Sequence, residues 1–263
     1  LGSQALRFKA TSGAKSAMTT ITEGPQAAGG QPSKWRYNLI TSMALVVPLY
    51  LVYQLGVLLT WPVYNGADLF TAYMVRNLNL IAYIAVNVSV AACVLVMAAS
   101  QKGKKEGVQV GMVVPLLFES ALYAFFLGSV IIFVMARILH IPPPHMGAEP
   151  GAGGPLTALV MSAGAGLHEE LLFRLLLMNG LVALCKGMKF GPMESFLAAL
   201  LFSSTLFSAV HHLGPLGDDF TVWVFTFRIL AGAIFGLIYW FRGFAVAVYT
   251  HALYDMYVLM WLR

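Results

Sequence analysis

Seven long apolar runs occupy most of the chain after residue 37. Each run is about 20 residues or longer, which is the length that a helix needs to cross the roughly 30 Å apolar core of a bilayer. The chain is therefore predicted to be an all-α, polytopic integral membrane bundle of about seven transmembrane helices, within a range of six to eight. The runs cover residues 38–61, 79–99, 110–138, 156–185, 194–213, 222–241 and 243–262.

Composition supports the same class. Apolar residues make up 59% of the chain and charged residues only 10%, against about 45–50% and about 25% in an ordinary soluble domain. With a mean hydropathy of +0.77, a disordered chain, a collagen-like fibre and a disulfide scaffold are excluded. The formal net charge of +5 is modest and indicates membrane orientation, with no nucleic-acid partner.

The distribution of basic residues predicts how the chain is divided and oriented. Residues 1–36 form a polar, basic segment that is expected to be a flexible tail. Residues 37–155 would hold the N-terminal transmembrane helices, and residues 156–263 a catalytic transmembrane core. Lysine and arginine recur in the tail and in every second connector, which places the N-terminus in the cytoplasm. We expect a bacterial inner membrane protein.

Several ionisable residues lie inside the apolar runs. A charge there costs several kcal/mol unless it faces a partner or a cavity, so each such residue is a candidate functional residue. Most of them fall in three short segments of the C-terminal half. The candidates are Glu119, Glu169, Glu170, Arg174, His211, His212, Arg228, His251 and Asp255.

The first segment contains two consecutive glutamates. Glu170 and Arg174 are four residues apart, so they share a helix face and can form an ion pair. Glu169 lies about 100° around the helix from Glu170 and is left without that partner. A buried carboxylate of this kind suits a general base that acts on water. The alternative is that both carboxylates only hold helices together.

The other two segments carry histidines. His211 shares a helical stripe with two serines, with Phe207 beside them, and the spacing does not decide whether His211 or His212 faces inward. His251 and Asp255 are four residues apart on the last helix, where a carboxylate can fix the tautomer of an imidazole or keep it protonated. Taken singly, each histidine could be purely structural.

The ordered set of motifs is more informative than any single one. Glu-Glu-x-x-x-Arg, Phe-x-x-x-His and His-x-x-x-Asp, each in its own apolar run, resemble the CPBP (Abi) family of intramembrane proteases, which includes the type II CAAX prenyl endopeptidases. The resemblance covers about residues 156–258. It implies that Glu169 and His211 activate a water, that His251 and Asp255 stabilise the oxyanion, and that Glu170 and Arg174 hold the helix.

Two chemical questions stay open at this point. The family more often has Asn where this chain has Asp255, and an aspartate can donate to an oxyanion only when protonated, so Asp255 could instead orient His251. Zinc is a possible cofactor, with Glu169, His211, His251 and Asp255 as ligands. Because the sequence lacks His-Glu-x-x-His, we favour a mechanism without a cofactor.

The predicted function is an intramembrane endopeptidase that cleaves a membrane-embedded or membrane-delivered peptide in the lipid bilayer. A proton-coupled transporter and a non-catalytic membrane immunity or scaffold protein are the alternatives from other classes. Arg228 is expected to be architectural and is a candidate partner for Glu119. If every run crosses the membrane, His211 and His251 would lie at different depths unless a helix is shifted, tilted or broken.

Overall fold

The computed structural model describes residues 37–60, 65, 67–100, 110–142, 154–213 and 217–261. Within these ranges the chain forms helices and no strand. The predicted tail at residues 1–36 lies outside the described residues, as does most of the Pro/Gly-rich connector near residue 150.

The predicted helical membrane bundle is confirmed. Five helical stretches are long and apolar enough to cross a membrane, and a sixth apolar helix, Phe244–Met260, is slightly shorter. The chain is an integral membrane protein. The described α-helices are α1 Leu39–Thr60, α2 Leu69–Asn77, α3 Leu80–Ala99, α4 Val113–Phe133, α5 Pro155–Glu170, α6 Asn179–Gly187, α7 Pro192–Val210, α8 Val222–Arg242 and α9 Phe244–Trp261.

Two of these helices continue into π-helical segments. One follows α4 over Val134–Ile138, and the other joins α5 to α6 over Leu171–Met178. Helical structure therefore runs without a break through the predicted fourth span. π-Helical turns inside α-helices occur frequently at functional sites. The segment Leu171–Met178 begins directly after the two glutamates.

The short helix α2 was not predicted from the sequence, which indicated only a connector at residues 62–78. Asp68 caps α2 by accepting a hydrogen bond from the backbone N–H of Thr71 at 2.8 Å. This bond satisfies one of the free N–H groups at the helix N-terminus. A capping aspartate thus stabilises the start of a helix in a segment that has no long apolar run.

Helix α9 lies at the centre of the bundle, where it packs against α5, α4, α8 and α1. Its first five residues, 244–248, are buried. Gly166 on α5 allows the closest approach: a Cβ at Gly166 would lie 2.6 Å from the carbonyl oxygen of Val248 and 2.7 Å from the backbone nitrogen of Ala252. Glu169, about one turn further along α5, is thereby brought next to His251.

The expected difference in depth between the two histidines is removed by the long helical hairpin. Glu169 precedes Gly187 by 18 residues, and His211 follows Pro192 by 19 residues. At 1.5 Å per residue both distances are about 27 Å. The two antiparallel arms therefore return His211 to the level of Glu169.

The expected pairing of Arg228 with Glu119 is wrong. Glu119 on α4 instead forms a bidentate ion pair with Arg242 at the end of α8, with Nε–Oε1 and Nη2–Oε2 distances of 2.5 Å and 2.7 Å. Tyr123 also donates to Glu119 at 2.9 Å. Arg228 pairs with Asp218. Glu119 pairs with Arg242 and not with Arg228 because α4 and α8 are antiparallel, which brings the end of α8 close to the beginning of α4.

Candidate active site

Glu169 is the meeting point of the polar residues. Its side chain is buried, and its Oε2 atom lies 3.5 Å from Nε2 of His211 and 3.9 Å from Nε2 of His251. Its Oε1 atom lies 3.4 Å from Nδ2, the side-chain amide nitrogen of Asn65. The two carboxylate oxygens therefore have different surroundings, and only Oε2 faces both imidazoles.

His211 directly follows α7, where the last carbonyls of a helix have no partner within it. Its Nδ1 lies 2.7 Å from the carbonyl oxygen of Phe207. A carbonyl only accepts, so Nδ1 is the donor, and in the neutral imidazole Nε2 carries the lone pair. The Phe207 ring packs against the imidazole with a centroid separation of 4.8 Å. His211 therefore presents a basic nitrogen to Glu169.

His212 faces away from Glu169, which answers the question that the sequence left open. Its Nδ1 lies 2.9 Å from the carbonyl oxygen of Asp218, to which it donates, and its ring lies beside Phe220 and Phe225. His212 thus anchors the segment before α8.

Glu170 has two cationic or donor partners. The predicted pair with Arg174 is present, with Oε1 3.0 Å from Nη1. The same oxygen also accepts from Nδ1 of His251 at 2.7 Å. Glu170 has no exposed surface. The contact with His251 was not predicted, because spacing along one helix gives no information about a partner on another helix.

Arg174 is also buried, at 1% exposure. Its Nη2 donates to the carbonyl oxygen of Gly232 at 3.1 Å, and its guanidinium lies 4.6 Å from the centre of the Phe207 ring. These contacts and the Glu170 ion pair offset part of the cost of a cation in the bundle interior. Arg174, in the π-helical segment that follows α5, thereby contacts both α7 and α8.

His251 is held in a fixed orientation. Glu170 binds its Nδ1, and the Phe235 ring stacks on the imidazole at a centroid distance of 4.4 Å and an interplanar angle of 15°. The opposite nitrogen, Nε2, lies 3.5 Å from Oδ2 of Asp255 and points toward Glu169. Asp255 therefore lies beside the nitrogen that faces the site, and Glu170 rather than Asp255 contacts the other one.

Sequence reasoning missed a second polar group beside the site. Asn65 lies between α1 and α2 and contacts Glu169, while Nε2 of His168 lies 3.4 Å from Asp68. The His168 ring packs on Tyr53 with a centroid distance of 4.9 Å. A search limited to ionisable groups inside apolar runs could not find Asn65, because Asn65 is uncharged and lies in a connector.

No group of three or more His, Cys, Asp or Glu side chains that could hold a metal ion is found among the described residues. The four residues that the sequence named as possible zinc ligands form a chain of contacts. Oε2 of Glu169 lies 3.5 Å from Nε2 of His211 and 3.9 Å from Nε2 of His251, and that nitrogen lies 3.5 Å from Oδ2 of Asp255. Asp255 is the most exposed of them, with 29% of its side chain accessible.

The family relationship rests on the segment that contains these motifs. Residues 151–257 match the family model described as type II CAAX prenyl endopeptidase Rce1-like. Residues 151–257 form an Rce1-like domain. Comparison with curated proteins and with solved structures gives no match.

The Rce1-like domain confirms the resemblance to the CPBP and CAAX protease family. It contains every candidate site residue from Glu169 to Asp255, and Asn65 lies outside it. The family supports a CAAX-type intramembrane protease in general, which acts on a membrane-associated substrate.

Proposed function

We propose that the chain is an intramembrane endopeptidase in which Glu169 and His211 activate the water that attacks the scissile peptide bond. One observation carries the proposal: Oε2 of Glu169 faces Nε2 of His211 at 3.5 Å and Nε2 of His251 at 3.9 Å. The neighbouring Glu170 is engaged by Arg174 and His251. Glu169 is thus the carboxylate that is available to a water.

The first step is the transfer of a proton from water to Oε2 of Glu169, with Nε2 of His211 accepting the second hydrogen bond of that water. The water oxygen bonds to the scissile carbonyl carbon, and the carbonyl electron pair moves to the oxygen as an oxyanion. When the oxyanion collapses, the carbon–nitrogen bond breaks. The proton held by Glu169 passes to the leaving amine, so Glu169 returns to its starting state.

His251 is the proposed oxyanion donor. Its Nδ1 donates to Glu170, so in the imidazolium form its Nε2–H is the group left to reach the developing charge. Two carboxylates, Glu170 and Asp255, lie within 3.5 Å of the ring nitrogens and favour the imidazolium. Oδ2 of Asp255 lies 3.5 Å from Nε2 of His251, and we therefore assign Asp255 the role of orienting and charging His251.

A zinc-dependent version of the same protease is the alternative. Its protein ligands would come from Glu169, His211, His251 and Asp255, whose oxygen and nitrogen atoms are donors that zinc accepts. Both histidines have Nδ1 anchored to a carbonyl or carboxylate, as metal-binding histidines do. Activity that survives thorough chelation supports the metal-free mechanism. Loss of activity that added zinc restores, and magnesium does not, supports the zinc enzyme.

The substrate is proposed to be a membrane-embedded or membrane-delivered peptide. The purified chain in lipid nanodiscs is tested on two internally quenched peptides, a farnesylated C-A-A-X peptide and the same peptide without the prenyl group. Cleavage of the prenylated peptide alone assigns CAAX processing, and cleavage of both assigns a broader peptidase. Comparative proteomics of cells with a Glu169→Gln allele identifies the natural substrates.

Site-directed variants test the mechanism. Glu169→Gln and His251→Ala are expected to abolish cleavage while the protein stays folded and inserted. Glu194→Gln is the matched control, since Glu194 is an exposed carboxylate that caps α7. Full activity of Glu169→Gln contradicts the protease mechanism. Flux across proteoliposomes that depends on Glu169, without cleavage of either peptide, would favour a transporter.

We also propose a bacterial inner membrane location with a cytoplasmic N-terminus, because basic residues recur in alternate connectors. Reporter fusions at the two termini test this orientation. Opposite sides are expected, as an odd number of spans requires.

A further inference from the structure

Asn65 approaches the site from outside the Rce1-like domain. Its side chain is buried, and its orientation is fixed on both sides of the amide. The Oδ1 atom accepts from the backbone N–H of Ala67 at 2.8 Å, so the Nδ2 atom is the one that faces Glu169. The backbone N–H of Asn65 donates to the hydroxyl of Tyr53 at 3.1 Å. The amide is therefore held before any substrate binds.

Helix α5 is shaped to receive this group. A Cβ at Gly164 would lie 2.5 Å from the ring of Tyr53 and 2.8 Å from Cβ of Asn65. Only a glycine admits both neighbours at this distance from the helix. Gly164 precedes Glu169 by five residues, so this close approach holds the connector that contains Asn65 near the helical turn that carries Glu169, the catalytic turn.

A second contact holds the same segment to α5. Asp68, which caps α2, lies 3.4 Å from Nε2 of His168, the residue immediately before Glu169. Nδ1 of His168 donates to the carbonyl oxygen of Gly164 at 3.0 Å, so Nε2 donates to the carboxylate of Asp68 when the ring is protonated on both nitrogens. The connector and the catalytic turn are thus joined at two successive residues of α5.

We propose that Asn65 is a positioning residue that binds Oε1 of Glu169 and thereby keeps Oε2 directed at His211 and His251. This inference rests on the proposed role of Glu169 as the base. An amide suits the task because it donates a hydrogen bond without adding a charge, so Glu169 keeps its negative charge for the proton transfer. Asn65 acts through Glu169 and does not contact the substrate in this proposal.

The main test compares Asn65→Ala with Asn87→Ala in the nanodisc assay on the quenched farnesylated peptide. Asn87 is the matched control, since it is a buried amide on α3 that bonds Tyr50 and the carbonyl oxygen of Tyr83. Asn65→Ala is expected to lower kcat roughly 10- to 100-fold with little change in KM, because small misplacements of a catalytic group have effects of this size. Asn87→Ala is expected to leave kcat within about twofold, which is small beside the loss expected from a misplaced catalytic group.

Asn65→Asp gives a readout that a purely structural role would not produce. It replaces the donor by a carboxyl group beside Glu169, and the acid limb of the pH profile of kcat/KM is expected to move to higher pH. The other ionisable groups around Glu169 are unchanged in this variant. They are His211 on α7, His251 on α9, and His168, Glu170 and Arg174 on or following α5.

Infrared spectroscopy provides a readout without turnover. The carboxylate bands of Glu169 are obtained by subtracting the spectrum of Glu169→Gln, and Asn65→Ala should shift them while Asn87→Ala does not. Unshifted bands, or a kcat of Asn65→Ala equal to that of Asn87→Ala, overturn the role of Asn65 while Glu169→Gln remains inactive. If Glu169→Gln is itself active, the proposed function fails and this inference fails with it.

Discussion

Replacing Glu169 and replacing Glu170 are expected to have different effects on stability and activity. Replacing Glu170 by Leu removes the partner of Arg174, whereas replacing Glu169 by Gln leaves the Glu170–Arg174 pair intact. The first variant should lose stability and activity together. The second should lose activity and keep most of its stability.

The burial of the pair sets the size of the stability effect. Glu170 is 0% exposed and Arg174 is 1% exposed, with 3.0 Å between Oε1 and Nη1. Removing one partner of a buried ion pair costs about 3–5 kcal/mol, because the other charge is left without compensation. With a shift of a few degrees per kcal/mol for a chain of about this size, the unfolding temperature of Glu170→Leu should fall by roughly 10 °C.

A double variant separates the two roles of Glu170. Glu170→Leu with Arg174→Met removes both charges and replaces them with apolar groups of similar size, a change that is often neutral or stabilising. The unfolding temperature should therefore return close to that of the parent. Activity should stay low, because Nδ1 of His251 no longer has its carboxylate partner.

Thermal unfolding in detergent and peptide cleavage in nanodiscs measure both effects on the same samples. An unfolding temperature of Glu170→Leu equal to that of the parent would show that Arg174 does not depend on this carboxylate. Full activity of the double variant would show that His251 does not need Glu170. Either result refutes the reasoning.

Two further pairs of variants test the geometry. Gly166→Ala should lower the unfolding temperature and the cleavage rate, because its Cβ would lie 2.6 Å from the carbonyl oxygen of Val248. The added Cβ of Gly180→Ala would meet nothing within 4 Å, so this variant should stabilise the helix by about 0.5–1 kcal/mol. Equal unfolding temperatures for the two variants would contradict this packing. His211→Ala should abolish cleavage and His212→Ala should retain most of it, measured as kcat; the reverse order would mean that His212 faces the substrate.

Local spacing predicted the contacts that lie within one helix. Residues four apart on a helix are neighbours whatever the rest of the fold does, and the pairs Glu170–Arg174 and His251–Asp255 are both present. The lengths of the apolar runs predicted the helices for a similar reason, because backbone groups in a bilayer must be satisfied within the segment.

Contacts between helices were harder to predict, as Glu119 illustrates. Among the charges inside the spans, Arg228 is the predicted partner. The partner is Arg242, which lies between the last two apolar runs. The predicted orientation places the end of α8 and the beginning of α4 on the same side of the membrane. The depth of a charge in the membrane is therefore a better guide to its partner than whether the charge lies inside a span.

The hydrophobic core extends beyond the Rce1-like domain. A single buried cluster includes Leu45 and Val46 of α1 and Leu116 of α4, together with residues of α5 to α9. Helix α9, which carries His251, packs against α1 and α4 as well as against α5 and α8. Because the N-terminal helices fill one side of this core and also supply Asn65, the expected boundary near residue 155 separates two parts of the sequence but crosses one packed structure. The position of Glu169 therefore depends on both.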